Sequence, residues 1–287
     1  MVKSTIKGLV ILLLGTLISG CPGRVLDSAT KRVAEGLSRG ILNQNDVATV
    51  RDGLPAYLLI IDGLIESSPQ NADLLLAGAK LYSSYASSFT DDIDRSQRLS
   101  NKGLGYGKRM LCIRLPDLCL NMDEPFEVFK EEIDDLTLEE VPVAYGFTTA
   151  WAAWIQAHSD DWNAIAQVPK ITALLERIVE LDEDYDQGNT YLYLGVLATQ
   201  LPPSLGGKPE QGRKYFERAI TISDGHNLLA KVLFAKQYAR LVFNRPLHDR
   251  LLKEVLEQNP ESQGLTLSNT LAQHQARRLL ESGNEYF

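Results

Sequence analysis

The sequence predicts an all-α fold of stacked antiparallel helix pairs, and three observations carry that expectation. Residues 189–224 place Tyr191, Leu194, Gly195 and Ala198 at the spacing W-x2-L-G-x2-Y, then Gly212, Phe216 and Ala219 at A-x3-F-x2-A. This is the signature of a tetratricopeptide-like helix pair, with small residues where two helix axes approach and large ones filling the space between. The register recurs upstream, where Leu74-x2-Ala77-Gly78-x2-Leu81 matches the first helix of that pair. The third observation is apolar residues at helical spacing along most of the chain. Gly78 and Gly195 lie 117 positions apart, not a multiple of the roughly 34-residue repeat, so insertions have accumulated in a degenerate tetratricopeptide-repeat-like solenoid.

The chain has 287 residues, 44% of them hydrophobic, with 29 basic and 37 acidic residues and a pI near 5.1. That balance, with no basic stripe, excludes a nucleic-acid footprint. The N-terminus reads as a leader: Lys3 and Lys7, an apolar run from Leu9 to Ile18, then Ile18-Ser19-Gly20-Cys21. The run is half the roughly 20 residues a membrane span needs, which fits a signal-peptide core. The tetrapeptide resembles the lipobox of bacterial lipoproteins, in which Cys21 is lipidated and becomes the first mature residue. Residues 1–20 are therefore expected to be a lipoprotein signal peptide and 21–287 a single helical-repeat domain. Pro22, where an inner-membrane retention signal has Asp, favours a lipid anchor in the outer membrane facing the periplasm. Loss of Lys3 and Lys7 leaves 27 basic residues against 37 acidic ones, so the body is expected to stand off an anionic leaflet.

From Arg24 to Leu42 the apolar positions Val25, Ala29, Val33, Leu37 and Ile41 recur every four residues, an amphipathic helix. Within it, Gly36-Leu37-Ser38-Arg39-Gly40 matches G-x-S-x-G literally. That elbow works only at a strand-to-helix turn, so Ser38 reads as a solvent-face residue. A second helix starts near Asp46 and runs through Pro55, in a first turn or at a kink, to Ser67. Asp91, Asp92 and Asp94 cap another, running to about Cys112. Its Gly103, Gly105 and Gly107 precede Lys108 but lack phosphate-loop spacing, and are expected to permit close helix approach. Cys112 and Cys119 flank Pro116. In an oxidising compartment they form a disulfide, or else serve as two buried thiols. Leu115 to Glu140 reads as a long irregular, acidic connection with short helical turns.

Val141 to His158 is an aromatic helix with Phe147, Trp151, Trp154 and His158 on one face. These rings either wedge helix against helix or line a groove for an apolar ligand or a partner's helix. His158 with Asp160 and Asp161 reads as a polar helix end, and no metal site is expected. A helix from Pro169 to Leu181 leads to Asp182-x-Asp184-x-Asp186, which lacks the Gly and Glu of a calcium loop and is expected to be an interhelix turn. Between Gly195 and Gly212 lie about five residues more than an ideal repeat has, in a loop carrying Gly206, Gly207 and Lys208. Pro209 is expected to start the second helix, beside an N-terminus able to take an anionic group. The last pair, Leu228 to Val242 and Pro246 to Glu257, ends at Asn259-Pro260, and Leu265 to Glu281 is expected to cap the stack. Four histidines, 158, 226, 248 and 274, stand without a nucleophile or acid at motif spacing, so neither an enzyme nor a cofactor is expected.

Cys21 after a lipobox, Asn71-Ala72-Asp73-Leu74-Leu75-Leu76, the loop Pro202 to Glu210, Phe216-Glu217-Arg218-Ala219, Asn227 to Val232 and Leu265 to Ala272 resemble the TatT family. These are the T components of tetratricopeptide-associated TRAP transporters, and the likeness covers essentially the whole mature chain. It implies a periplasmic, lipid-anchored helical scaffold that forms a homotrimer around a pore. It further implies docking of a periplasmic solute-binding protein that feeds a sodium-driven symporter for organic or hydrophobic solutes. An alternative is a carrier lipoprotein that binds an apolar small molecule itself. Candidate contacts are Phe147, Trp151, Trp154, Gly206, Gly207 and Lys208.

Overall fold

A computed structural model describes residues 36–200 and 203–287. The leader, Cys21 and the start of the first amphipathic helix lie outside the described residues. Residues 36–42 are helical, which leaves exposed Ser38 inside a helix rather than at an elbow. Helices of five residues or more then follow as α1 (Val47–Ser67), α2 (Ala72–Ser88), α3 (Ile93–Arg114), α4 (Pro116–Leu120) and α5 (Phe126–Asp134). After these come α6 (Val141–Ala157), α7 (Val168–Leu181), α8 (Asn189–Thr199), α9 (Pro209–Ile222), α10 (Leu228–Leu233), α11 (Arg245–Glu257) and α12 (Thr266–Glu281). The described residues contain no strand, and the fold is all-α.

Local chemistry sets these boundaries. Asp46, Asn71, Asp92 and Asn244 accept first-turn amide hydrogens at the starts of α1, α2, α3 and α11, as N-cap side chains do. Pro116, Pro142, Pro169, Pro209 and Pro246 occupy first-turn positions, where no hydrogen-bonding amide is lost. Pro55 departs from this pattern: it sits well inside α1 rather than in its first turn. The segment Leu115 to Glu140 is more ordered than its composition suggests, because Phe129 and Ile133 of α5 are fully buried and anchor it. Past α10 the helix widens into a π turn over Phe234–Ala239, a departure no sequence period announces.

The helices pack mainly on sequence neighbours: α1 on α2, α2 on α3, α7 on α8, α8 on α9, with α6 covering both α2 and α3. Glycines set the closest approaches. A Cβ at Gly195 would lie 2.7 Å from the Phe216 ring, and one at Gly212 would run into Thr199 and stand 3.1 Å from the Gly195 carbonyl. The related position Gly78 likewise faces an aromatic ring of the next helix, 2.8 Å from Tyr106. Of the three alternating glycines of α3, Gly103 presses on Ser83, Gly107 makes ordinary contact with Phe147, and Gly105 faces open space. The expectation of close approach thus fails at Gly105, which points to solvent.

The described structure has two clusters of buried side chains, one built on α1 to α7 and one on α9 to α12. Leu194 and Leu267 join the first and Leu192 the second, so α8 and α12 belong to both. As expected of a capping helix, α12 packs on α10 and α11, but it also meets α1. Beside that contact the Gly264 amide donates to Asn43 Oδ1 at 2.7 Å, and Asn45 Nδ2 donates to Glu261 Oε1 at 3.4 Å. The end of the array is thereby fastened to its beginning.

Cys112 of α3 and Cys119 of α4 are joined as a disulfide, Cα atoms 5.0 Å apart. A loop this short contributes about 2 kcal/mol by loop-closure entropy, so reduction is expected to lower Tm by several degrees in a reductant-dependent melt. Two glycine substitutions should move stability in opposite directions in the same melts. Gly212→Ala forces a methyl into α8 and costs about 1–3 kcal/mol, whereas Gly105→Ala, at an open helix-interior site, gains up to about 1 kcal/mol.

Candidate partner-docking site

The extended loop between α8 and α9 is built on its glycines. Pro203–Leu205 forms a single 3-10 turn, the Gly206 amide donates to the Pro203 carbonyl at 3.1 Å, and Gly206 takes φ +92°. Lys208 then ties the loop back to α8 through its amide and the Ala198 carbonyl, 2.8 Å apart, leaving its side chain exposed. Gly206 is exposed and Gly207 half-buried, with no neighbour within 4 Å of a Cβ placed at Gly206. Pro209 opens α9, as its position in the sequence implies. An anionic ligand at that N-terminus has a rival, because Glu210 already occupies the first turn and accepts from the Tyr238 hydroxyl at 2.8 Å. The positive helix pole is met from within the chain.

The aromatic helix divides its rings between core and edge. Phe147 and Trp151 are 0% and 2% exposed; their rings lie 5.2 Å apart, and Trp151 meets Phe129 edge-on at 6.1 Å. Its indole N–H donates to Gln167 Oε1 at 2.5 Å. These two rings are the wedge that seats α6 on α3 and α5, and both are closed off from the surface. They are removed from the candidate contacts, because the large apolar residues of this helix are consumed by packing. Trp154 is half-buried at the edge, stacked on His158 at 4.7 Å and donating to Asn101 Oδ1 at 2.6 Å. Nearby, Trp162 is 85% exposed, a surface ring that the one-face pattern of α6 did not include. Asp161 caps the short helical turn Trp162–Ile165 by accepting from the Asn163 amide at 2.8 Å. Between the ends of α2 and α6 and the start of α3 lies an open cleft of about 350 Å³, lined by residues such as Thr90, Asp92, Ser96, Ala153 and Gln156.

No group of three His, Cys, Asp or Glu side chains able to hold a metal ion occurs among the described residues. His248, the buried histidine, has Nδ1 2.8 Å from Asp249 Oδ1 and accepts from Arg240 at Nε2, a structural lock at the C-terminal end. None of the described helices is long and apolar enough to cross a membrane.

A family model described as the TRAP transporter T-component matches residues 43–287. The chain belongs to that family. Among curated proteins it is similar to an uncharacterized protein of Treponema pallidum (strain Nichols), 23% identical over 242 residues, covering 78% of this chain and 75% of that protein. As a T-component the chain is a component of a TRAP transport system.

Two polar clusters in this T-component escaped the sequence pattern because their members come from separate helices. In the first, Tyr145 donates to Asp186 Oδ2 at 2.6 Å and packs edge-on against Tyr185 and Tyr193, at 5.0 and 6.3 Å. Asp186, Gln187 and Gly188 take φ of 51°, 56° and 78° in succession. Two consecutive non-glycine residues in the left-handed region cost roughly 1–2 kcal/mol each, and the Tyr145 and Asn189 bonds to Asp186 hold them there. Burial pushes the Tyr145 hydroxyl well above its ordinary value and that of Tyr193 to about 12. The acidic run Asp182 to Asp186 is therefore a turn, as its sequence implies, but a strained one.

In the second cluster Asp62 accepts from the Tyr82 and Tyr106 hydroxyls, each at 2.7 Å, and from Lys102 Nζ at 2.5 Å. Burial raises the Asp62 carboxyl, but the bonds from Lys102, Tyr82 and Tyr106 outweigh it and hold the group below its ordinary value. Burial, then the bond to Asp62, pushes Tyr106 up to about 12. The signs follow by linkage. The depressed Asp62 contributes stability that is complete above about pH 4 and lost as pH falls through its folded pKa. The raised Tyr106 contributes stability that is complete below about pH 10 and lost as pH rises toward its folded value. In melts from pH 5 down to pH 2, Asp62→Asn is expected to start less stable and to lose less on acidification than the parent chain. Equal acid slopes would assign the loss to other carboxylates.

Proposed function

We propose that this T-component is a periplasmic lipoprotein, held to the outer membrane through Cys21, that oligomerises as a scaffold and docks the solute-binding protein of a TRAP system. The observation that carries the reading is the family match across the whole array from residue 43 to the C-terminus. Two surface features support it. The loop at Gly206, Gly207 and Lys208 presents exposed backbone and one cation on a fixed base, and the Trp154–Trp162 edge presents an indole in the open. Recognition of this kind rests on a few aromatic and charged anchors rather than covalent chemistry. A small-molecule carrier reading receives less support, since Phe147 and Trp151, which it needed in a groove, are packed into the core.

Affinity capture with the lipidation-free body as bait is expected to retain a TRAP solute-binding protein at both low and high salt. Failure to recover it at either salt counts against the docking reading. Trp162→Ala and Lys208→Ala should each weaken that capture by about tenfold or more, as truncation of an interface anchor does. Gly206→Ala with Gly207→Ala, which strains a position held at φ +92°, should shift oligomer mass in light scattering if the loop is a subunit contact. Unchanged mass with weakened capture assigns the loop to the partner.

A further inference from the structure

The open cleft between the ends of α2 and α6 and the start of α3 carries side-chain charge of one sign. Asp91, Asp92 and Asp160 line it, and no lysine or arginine does. Arg51 of α1 and Arg95 of α3 are engaged outside it: Arg51 Nε meets Asp52 Oδ1 at 2.9 Å, and Arg95 lies over the Tyr85 ring at 5.4 Å. Asp92 is committed to capping α3, accepting from the Arg95 amide at 2.9 Å. Asp91 and Asp160 are exposed, and neither enters an ion pair among the described residues. The last turns of α2 and α6 add their negative poles.

The cleft is also braced. Ser96 Oγ donates to the Ala86 carbonyl and Gln97 Nε2 to the Ala157 carbonyl, each at 3.1 Å, so the start of α3 is tied to the ends of both α2 and α6. Ala86, Ala153 and Ala157 supply small walls, and Ile93, 70% exposed, adds an aliphatic side chain beside them. At about 350 Å³ the space lies at the small end of the roughly 300–1,000 Å³ typical of ligand pockets. It admits one long side chain rather than a helix about 10 Å across. One wall is drawn from residues 153–160, which overlap the Trp154–Trp162 edge.

We infer that this cleft receives a lysine or arginine side chain of the docked solute-binding protein, an inference that rests on the docking reading above. The sign of the lining selects the occupant. A neutral or acidic group would enter the field of three carboxylates and two negative helix poles without a counter-charge, whereas a cation is drawn in by it. The shape agrees with the charge. The alkyl stem of a long basic side chain packs on Ile93 and the alanines while its charged head faces Asp91 and Asp160. Trp162, 85% exposed, is then an apolar contact beside the ionic one, a pairing usual among interface anchors.

The test uses the full chain purified in detergent, with the TRAP solute-binding protein as the probe in surface plasmon resonance. Asp91→Asn with Asp160→Asn removes two charges and leaves the Asp92 cap in place, and Ala153→Leu fills the cleft without changing charge. The double variant is expected to associate about tenfold more slowly at low salt and to lose most of the parent's salt dependence. The filled variant is expected to dissociate about tenfold faster. If Ala153→Leu melts early, Ser87→Leu at an exposed lining position takes its place. Parental rates in both variants overturn the inference and leave docking to Trp162 and Lys208. Slower association with parental dissociation in the filled variant also overturns it, since the acids then only steer the encounter. Faster dissociation in the filled variant alone overturns it too, giving the cleft to an uncharged group. A parent chain that binds no solute-binding protein overturns the docking reading itself, and this inference with it.

Discussion

The contact on which the architecture depends is the approach of helix backbones where a side chain is missing. Gly195 admits the Phe216 ring, Gly212 lets Thr199 and the Gly195 carbonyl come close, and Gly78 accepts Ile65 and Tyr106 together. Each glycine costs helix propensity and returns it as contact area with a ring that fills the space left by the missing Cβ. Gly146 does the same against Leu76, which brings α6 down over the first pairs and buries Phe147 and Trp151 behind it. With helix backbones this close, large residues serve as wedges.

Much of this could be read from the chain before its structure was known. Helix pairs, their caps and the role of Gly195 and Gly212 follow from spacing within one or two turns, where side-chain position is a matter of helical period alone. What escaped depends on partners distant in sequence. Asp62 collects Tyr82, Lys102 and Tyr106 from two other helices, and Tyr145 reaches Asp186 across 41 positions. The aromatic helix was left open between wedge and groove for a related reason. Its period places Phe147, Trp151 and Trp154 on one face, but which of them surfaces is decided by α5 and by Gln167, neither of which the period contains. The loop at Gly206 was the easier element, because its extra length and glycines are local facts.

The surface that remains for recognition is therefore peripheral. A lone exposed indole, a half-buried one tied to Asn101 and a glycine-hinged loop with one lysine are features at the edges and turns of the helices. Such features vary without disturbing packing. The strained turn at Asp186 and Gln187 is of another kind. It is held by Tyr145 from a separate helix, so its conformation reports whether α6 and α8 are correctly seated.

The hydrogen bonds from Gly264 to Asn43 and from Asn45 to Glu261, with α12 resting on α1, alter what kind of object the array is. An unfastened stack of repeats behaves as a one-dimensional spring, able to fray from either end and to flex along its length. Joined at its ends, the same stack is restrained in both motions, since bending one pair pulls on the contact between the first and last helices. A fastened array of this kind behaves less as a spring than as a frame, in which each pair resists the displacement of its neighbours.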